Sequence, residues 1–351
     1  MRSVIGTMTG TSMDGVDAVA TVIEGQGLSM NATFRKIATE PIDNIQDQLR
    51  IIASGNRCAD EMTSAAFHLG QSTAIAITKL GISDIDLIAL HGQTVFHEPP
   101  SSVQLLNPEP VVERFNCVVL TDPRAADLQL GGQGAPITPL ADWIMFRQQS
   151  KSVAVVNLGG FCNITILPSN GEPRDILGFD LCCCNLLLDA IARDRLGIPF
   201  DQDGNLATSG TVDEPLLFKL KSKIKEQHDQ HRSLGSSDDL GLWVLDQGAG
   251  IQTNDLLATA THAIGSYICE TVQGVDQVLV AGGGVQNTAL LFAIGESAQK
   301  TDRYGVPTQA REAMAMAILG ALATDGVSIT LPHITGRQET DSVVGWTQAS
   351  P

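Results

Sequence analysis

Short apolar runs that flank glycine-rich turns open both halves of the chain, and this pattern predicts two β-hairpins. In the first half, apolar residues 4–5 and 18–23 lie on either side of the Gly/Ser/Thr-rich segment 6–17. In the second half, residues 153–167 repeat the layout around the turn 157–161. Each half therefore begins with a glycine-tipped hairpin.

The rest of the pattern predicts an alternation of strands and helices. The nearly all-apolar run 277–281 predicts a strand that is buried on both faces of a sheet, and residues 85–90 predict another strand. The charge-mixed stretch 219–231 predicts a solvated helix. Apolar positions at helical spacing predict helices at about 61–80, 185–196, 254–272, 287–294 and 312–323. This order of elements indicates an α/β protein.

Composition excludes several classes of partner. The chain has 351 residues, of which 43% are hydrophobic, and a net charge of −17. An acidic surface of this size repels nucleic acid and anionic lipid, so neither is an expected partner. No apolar run approaches ~18 residues, and the N-terminus lacks a secretory pattern. The seven cysteines form no Cys-x-x-Cys pair, which favours a reduced, cytoplasmic protein.

The tip of the first hairpin is a candidate anion site. Its glycines let the backbone approach a ligand closely, and successive N–H groups form a concavity that suits phosphate. Asp14 and Asp17 lie beside it, where a phosphate-bound Mg²⁺ needs hard oxygen ligands. From these residues alone, an ordinary β-turn rich in Gly and Ser stays an open alternative. The chain contains neither a P-loop motif nor a dinucleotide-binding Gly-x-Gly-x-x-Gly at a strand–helix junction.

Several long and unusual motifs resemble those of the anhydro-N-acetylmuramic acid kinase family, within the superfamily of sugar kinases, chaperone ATPases and actin. The resemblance covers nearly the whole chain. The motifs are Gly10 to Asp17; His91-Gly92-Gln93-Thr94 with Pro99; Asp122-Pro123-Arg124 through Asp127 to 131–136; Asn157-Leu158-Gly159-Gly160 with Asn163 and Thr165; Gly282-Gly283-Gly284 with Asn287; and Arg311-Glu312-Ala313.

The resemblance implies a two-lobed, actin-like ATPase fold, which is a duplicated ribonuclease H-like fold with a central ligand cleft. One lobe would comprise residues 1–132 plus 325–351, and the other 133–324. The implied reaction uses ATP and Mg²⁺. Water opens the 1,6-anhydro bridge of 1,6-anhydro-N-acetylmuramic acid while the freed 6-oxygen takes the γ-phosphoryl group, which gives N-acetylmuramate 6-phosphate for peptidoglycan recycling. The resemblance also implies a homodimer.

The resemblance assigns roles to individual residues. Asp180 matches the catalytic base, and Asp14 also matches a ligand of Mg²⁺. The residues implied for nucleotide binding are Gly10, Thr11, Ser12, Met13, Asp14, Gly15, Val16, Asp17, Gly159, Gly160, Gly282, Gly283, Gly284 and Asn287. Those implied for the sugar are His91, Gln93, Arg124, Asn157 and Glu312. Arg124 suits a carboxylate partner, because its planar fork donates two parallel hydrogen bonds.

Structural interpretations of these residues stay open beside the functional ones. Asp180 follows an apolar pair and precedes an expected turn, so it also fits a turn or N-cap aspartate. The other structural interpretations are Asp14 as a turn aspartate, His91 as a structural histidine, Arg124 as an ion-pair residue, Glu312 as a carboxylate favoured at a helix N-terminus, and Asn157 and Asn163 as loop-bonding residues.

Two segments depart from the family pattern. After Asp180, a glycine turn is replaced by Leu181 and three cysteines, 182–184, which are expected to be small buried hydrophobes; a redox thiol is the alternative. Zinc binding is not expected, because adjacent side chains diverge. In the segment 231–238, the family's Arg-Glu pair is lost, and this segment is expected near the nucleotide.

These departures keep two rivals to the implied kinase open. One is a catalytically weakened relative that binds the sugar or nucleotide as a sensor. The other is a different small-molecule kinase of the same fold, in which Asp180 acts on a substrate hydroxyl instead of on water. A structural filament protein is disfavoured, because nothing in the sequence suggests a polymerising surface.

Overall fold

The apolar runs of the sequence form two mixed sheets with the same internal strand order. The structure is a computed structural model and describes residues 1–349. Its strands are β1 (Arg2–Thr9), β2 (Gly15–Glu24), β3 (Asn31–Pro41), β4 (Leu87–Leu90), β5 (Gln93–Glu98), β6 (Ser101–Leu105), β7 (Val118–Thr121), β8 (Val153–Leu158), β9 (Phe161–Leu167), β10 (Leu177–Cys183), β11 (Gln277–Ala281), β12 (Ala298–Lys300) and β13 (Thr347–Ala349).

Helices cover the sheets and connect them. They are α1 (Asp43–Ala53), α2 (Ala59–Lys79), α3 (Glu109–Val112), α4 (Ala125–Gln129), α5 (Pro139–Phe146), α6 (Asn185–Leu196), α7 (Asn205–Ser209), α8 (Glu214–His228), α9 (Gly241–Gln247), α10 (Thr253–Thr271), α11 (Thr288–Ile294), α12 (Arg311–Thr324) and α13 (Pro332–Thr335). Among residues 1–349, no helix combines the length and the apolar character needed to cross a membrane.

In both sheets, three consecutive antiparallel strands lie beside two further strands, which run parallel to the first of the three. The first sheet has the order β13-β7-β4-β1-β2-β3, in which β1, β2 and β3 are antiparallel and β1, β4 and β7 are parallel. The second has the order β10-β9-β8-β11-β12 with the same directions. Apart from β13, the two orders are identical. This duplication confirms the predicted two-lobed, ribonuclease H-like architecture.

Burial in the second sheet agrees with the hydropathy pattern. Every residue of β8 and of β11 is buried, which confirms that 277–281 is covered on both faces. The predicted solvated helix is α8, and it is amphipathic: Leu216, Leu220 and Ile224 are buried along one face. That face packs against α10 and β10, while most of the other residues of 219–231 are exposed or half-buried, as expected for a solvated helix.

Helix α12 lies in the core shared by both lobes. Its residues 313–322 are all buried, and the surrounding apolar cluster includes Val4 from the first sheet and Val155 from the second. The expected lobe division, which stays a prediction, places this helix in the second lobe. In the structure α12 packs chiefly on β1 and β2 of the first sheet, so it joins the two lobes.

The contact between α12 and β1 requires a glycine at position 6. A Cβ atom there would lie 1.9 Å from the backbone oxygen of Ala313 and 2.4 Å from the nitrogen of Ala317. We expect Gly6→Ala to push α12 off the sheet and to lower the free energy of unfolding by about 1–3 kcal/mol. Thermal and urea unfolding measure this loss. Gly250→Ala is the matched control, because a Cβ there meets nothing within 4 Å.

Candidate active site

The tip of the first hairpin lies at the carboxyl end of β1. Met13 has a positive φ of 54°, and its N–H donates to Gly10 O at 3.2 Å, which closes the turn. Thr11, Ser12 and Asp14 are exposed there, and the Ser12 hydroxyl donates to Asp14 Oδ1 at 2.7 Å.

Two residues predicted to bind the nucleotide are directed away from the tip of this hairpin. The side chains of Met13 and Val16 are buried in the core of the first lobe. These two residues can therefore contact a nucleotide only through their backbone atoms.

The two predicted phosphate turns meet across the cleft. The backbone N–H of Gly160 donates to Thr11 Oγ1 at 3.1 Å. A Cβ at Gly160 would lie 2.3 Å from the same oxygen, so the close approach requires glycine. The carbonyl oxygens of Gly159 and Gly160 accept hydrogen bonds from Asn185 and Cys184, which join this turn to the start of α6. The fold thus brings together turns that are about 150 residues apart in the sequence.

The third glycine turn follows β11 and packs against the end of β8. Gly282 has a φ of +85°, and a Cβ there would lie 2.9 Å from Asn157 Oδ1. Gly284 lies against Leu158 in the same way, whereas Gly283 is exposed. Asn287 caps α11, because its Oδ1 accepts from Leu290 N at 2.9 Å. Of the polar side-chain atoms of Asn287, Nδ2 therefore remains for the predicted contact with the nucleotide.

A row of polar residues crosses three strands of the second sheet. Asn157 of β8 pairs with Asn163 of β9, and Asn163 pairs with Asp180 of β10. Residues directly opposite on neighbouring strands project from the same face, so these side chains share one face of the sheet. Asn157 Nδ2 also donates to Glu312 Oε1 at 3.3 Å, which brings the first turn of α12 to the row.

Asp180 has the environment of a general base. Leu234 N–H donates to its Oδ2 at 2.9 Å. Burial raises the pKa of Asp180 to about 6, while the Leu234 hydrogen bond and the Arg124 charge act in the opposite direction. A carboxylate with such a pKa is ionised near neutral pH and still accepts a proton effectively.

The predicted position of Asp180 before a turn needs a correction. Asp180 lies inside β10, where an irregularity in the pairing falls between Asp180 and Cys182, so the expected turn at 181–184 is mostly strand. Cys182, Cys183 and Cys184 are free and buried, as expected for small hydrophobes. Burial raises the pKa of these thiols, which keeps them protonated. Within residues 1–349, no group of three or more His, Cys, Asp or Glu side chains is arranged to hold a metal ion.

His91, which is buried, and Arg124, which is half-buried, form one hydrogen-bonded group. Arg124 donates from Nη1 to Gly134 O at 2.6 Å, and its Nη2 lies 3.2 Å from His91 Nε2. Gln104 Nε2 lies 2.9 Å from the same His91 nitrogen. Both neighbours are donors, so Nε2 is the acceptor and the ring proton is on Nδ1. Burial, with the Arg124 charge, lowers the pKa of His91 to about 3, so the imidazole is neutral.

Several buried polar atoms around His91, Arg124 and Asn157 make no hydrogen bond. Among the described residues, those without a hydrogen bond here are His91 Nδ1, Gln93 Oε1, Gln104 Oε1, Arg124 Nε and Asn157 Oδ1. Buried polar groups are normally paired with protein, water or ligand, so this cluster marks a site for a polar molecule. Four of these residues were predicted to contact the sugar. Gln104 was missed, because no motif surrounds it in the sequence.

A cavity of about 310 Å³ opens beside Asp180. The polar residues that line it are Asp180, Gln133, Arg232, Ser233, His228, His231 and His333. Residues of the segment 231–238 therefore lie at the predicted base; the expected place of this segment near the nucleotide stays a prediction. Within this segment, Arg232 Nη1 donates to Asp238 Oδ2 at 2.8 Å.

The carboxylates near the first turn fit a phosphate-bound Mg²⁺. Such an ion needs one or two carboxylates and takes its other ligands from phosphate oxygens and water. Asp14 is exposed at the turn. Asp17 is half-buried and accepts hydrogen bonds from Thr39 and Gln309. Burial raises the pKa of Asp17; the hydrogen bonds from Thr39 and Gln309 act in the opposite direction, and the Asp14 charge adds to the rise.

Two sheets with the same internal strand order, with glycine turns that meet between them, define a two-lobed α/β protein with an actin-like fold. The family model described as "Anhydro-N-acetylmuramic acid kinase" matches residues 2–347, and the chain belongs to this family.

Individual relatives agree with the family assignment. The chain is 32% identical over 372 aligned positions to the anhydro-N-acetylmuramic acid kinase of Salinibacter ruber, with 95% of this chain and 93% of the relative covered. It is 30% identical to the enzyme of that name from Caldanaerobacter subterraneus, with 95% and 94% covered. Among solved structures, it is similar to the (R)-2-hydroxyglutaryl-CoA dehydratase component A of Acidaminococcus fermentans. That match has 12% identity, a TM-score of 0.45 and coverage of 92% of this chain and 98% of the other.

Proposed function

We propose that the chain is an ATP-dependent kinase that hydrolytically opens 1,6-anhydro-N-acetylmuramic acid and phosphorylates it to N-acetylmuramate 6-phosphate. Family membership supports the reaction class. The observation that carries the proposal is the setting of Asp180. This single carboxylate has one oxygen held by a backbone N–H. Burial raises its pKa to about 6, and the charge of Arg124 acts on it, which links it to the group of buried polar atoms that have no hydrogen bond.

Asp180 supplies the proton acceptor that the reaction needs. A water molecule attacks the anomeric carbon and gives its proton to the Asp180 carboxylate as the bond from that carbon to the 6-oxygen breaks. The freed 6-oxygen takes the γ-phosphoryl group, so the leaving group needs no separate acid. Leu234 occupies Oδ2 of Asp180, which leaves Oδ1 for the water.

Arg124 and Glu312 hold the sugar in this proposal. The Arg124 charge acts on both Asp180 and Glu312, so the guanidinium lies near both carboxylates. Its Nε has no partner within residues 1–349, so a substrate carboxylate such as the lactyl group is the expected acceptor. His91 orients this guanidinium by accepting from Nη2, and its lowered pKa keeps it neutral in that role.

The glycine turns and Asp14 hold the nucleotide phosphates. The turns at 10–15 and 159–160 approach each other from opposite lobes, and the Gly160 N–H already binds an oxygen atom there, Thr11 Oγ1. Asp14 and Asp17 would hold Mg²⁺, which would supply positive charge to the phosphates. The 282–284 turn lies beside Asn157 and is assigned to the adenosine side.

The activity of the wild-type enzyme is expected to fall as the solution becomes acidic. Asp180 acts only as the carboxylate, and its pKa of about 6 places the loss below that pH. We expect kcat/KM to be level near neutral pH and to fall about tenfold per pH unit well below about pH 6. A pH–rate profile measures this limb. A flat profile down to about pH 4 would contradict the assignment of the base.

The test of the function is a coupled ADP-release assay with Mg-ATP and 1,6-anhydro-N-acetylmuramic acid, followed by mass spectrometry of the product in ¹⁸O-labelled water. The proposal predicts sugar-dependent ADP release and a product that contains one phosphoryl group and one labelled oxygen. Phosphorylation without the label would indicate a kinase that acts on an existing hydroxyl. Binding without turnover would indicate a sensor.

The setting of this reaction is part of the same proposal. Because the sugar derives from cell-wall fragments and ATP is an intracellular nucleotide, we place the enzyme in peptidoglycan recycling in the cytoplasm. Its subunits are expected to form a homodimer, as the resemblance implies. Size-exclusion chromatography with light scattering measures the oligomeric state.

A further inference from the structure

The segment 232–238, here called the base loop, is held in one shape by an internal ion pair. Arg232 donates from Nη1 and Nη2 to the two carboxylate oxygens of Asp238, at 2.8 and 2.5 Å. Gly235 N–H donates to Asp238 Oδ2 at 2.8 Å. Gln227 of α8 donates to the backbone oxygen of Asp238 at 2.6 Å. Asp238 therefore organises the loop and ties it to the second lobe.

One peptide unit of the base loop is fixed on both sides. The carbonyl oxygen of Ser233 accepts from Arg232 Nη1 at 2.9 Å. The N–H of the same peptide, on Leu234, donates to Asp180 Oδ2 at 2.9 Å. Because a peptide is planar, holding its oxygen also sets the direction of its N–H. The orientation of Asp180 thus depends on where Ser233 lies.

Ser233 is held from the first lobe. His97, on the β5–β6 hairpin, has its Nε2 3.0 Å from Ser233 Oγ and its Nδ1 3.1 Å from Ser102 Oγ. The Ser102 hydroxyl donates to Phe96 O, so it accepts from His97 Nδ1. Nε2 then accepts from the Ser233 hydroxyl.

The hairpin and the base loop approach each other too closely for a side chain. A Cβ at Gly235 would lie 2.2 Å from the backbone oxygen of His97. The β5–β6 hairpin packs on α1 and α2 of the first lobe, whereas Asp180 belongs to the second sheet. The contact between His97 and Ser233 therefore crosses the cleft.

We propose that His97 is a positioning residue for the base: it holds Ser233 across the cleft and so fixes the peptide N–H that orients Asp180. The inference rests on the proposed function, because it gives Asp180 the role of base. The base is then fully oriented only while the two lobes are in contact. The charged groups that act on Asp180 are Arg124 at the start of α4 and Arg232 and Asp238 in the base loop. The titratable side chains of His228, His231 and His333 line the cavity beside it.

The test measures the pKa of the Asp180 carboxyl directly, by ¹³C NMR of aspartate-labelled protein with the signal assigned through Asp180→Asn. In His97→Ala, Ser233→Ala and Gly235→Ala, a weakened Leu234 hydrogen bond raises this pKa by about 0.5–1 pH unit. In the kinase assay, kcat falls about tenfold and its acidic limb shifts to the same higher pH, with KM for ATP unchanged. His97→Gln, whose amide oxygen can accept from the Ser233 hydroxyl as Nε2 does, restores part of both values.

His262→Ala is the matched control, because His262 is exposed on α10, and it leaves every value unchanged. Thermal melts identify any variant that fails to fold, and Ser233→Ala, which deletes one hydroxyl, is the mildest. If kcat falls while the Asp180 pKa stays at its wild-type value, His97 is merely structural and the proposal is overturned. The NMR titration needs no turnover, so it decides the role of His97 even if the wild type does not phosphorylate the sugar.

Discussion

Asp180→Asn is expected to lower the kcat for sugar-dependent ADP release by about 10²–10³-fold, because the amide cannot take the proton of the attacking water. Its geometry is nearly that of the carboxylate, so the Oδ1 of asparagine still accepts the Leu234 N–H that Asp180 Oδ2 accepts now. We therefore expect the dissociation constants for ATP and for the sugar to stay within about threefold of wild type. Steady-state kinetics and calorimetric titration measure the two effects separately.

The same substitution is expected to increase the stability of the protein although it lowers the activity. Burial raises the pKa of Asp180 to about 6, so above that pH the folded protein holds a charge that burial disfavours. The neutral amide removes this cost, and Asp180→Asn is expected to melt at a higher temperature than wild type near pH 8. Near pH 5 the wild-type carboxyl is protonated, and the difference shrinks. Turnover that survives in the variant would show that Asp180 is not the base.

Local patterns were sufficient to predict most of the elements that carry the site. The hairpin around 6–17 forms as β1 and β2, and the run 277–281 forms the fully buried β11. The predicted helix at 312–323 is α12. Each of these has a strong period of two or 3.6 residues, or a run of apolar residues long enough to determine burial.

The features that the sequence analysis missed depend on contacts between distant segments. The sequence of the β5–β6 hairpin has little alternation of apolar and polar residues. Its proposed role depends on the hydrogen bond between His97 and Ser233, which are 136 residues apart. The place of the base loop beside Asp180 rests on one N–H bond across 54 residues. Gln104 enters the site only through His91. A hydropathy pattern indicates whether a residue faces the core, but it does not indicate which distant loop the residue contacts.

The second large effect is expected at a buried ion pair beneath Glu312. Arg311 and Asp142 are fully buried, and Arg311 Nε donates to Asp142 Oδ1 at 2.9 Å. Thr138 and Thr165 complete the group, at 3.1 Å from Arg311 Nη2 and 2.8 Å from Asp142 Oδ2. Because Arg311 begins α12, this pair joins the start of that helix to α5 and β9.

Asp142→Ala is expected to lower the free energy of unfolding by about 3–5 kcal/mol, because it leaves the Arg311 guanidinium buried without its counter-charge. The double variant Asp142→Leu with Arg311→Met removes both charges and fills the space, so it is expected to recover most of that loss. Urea unfolding of the single and double variants measures the coupling. Equal losses in Asp142→Ala and in the double variant would show that packing, and not the unpaired charge, sets the cost. If the pair also positions Glu312, the double variant folds stably and still has a raised KM for the sugar, because the first turn of α12 has lost its tether to α5.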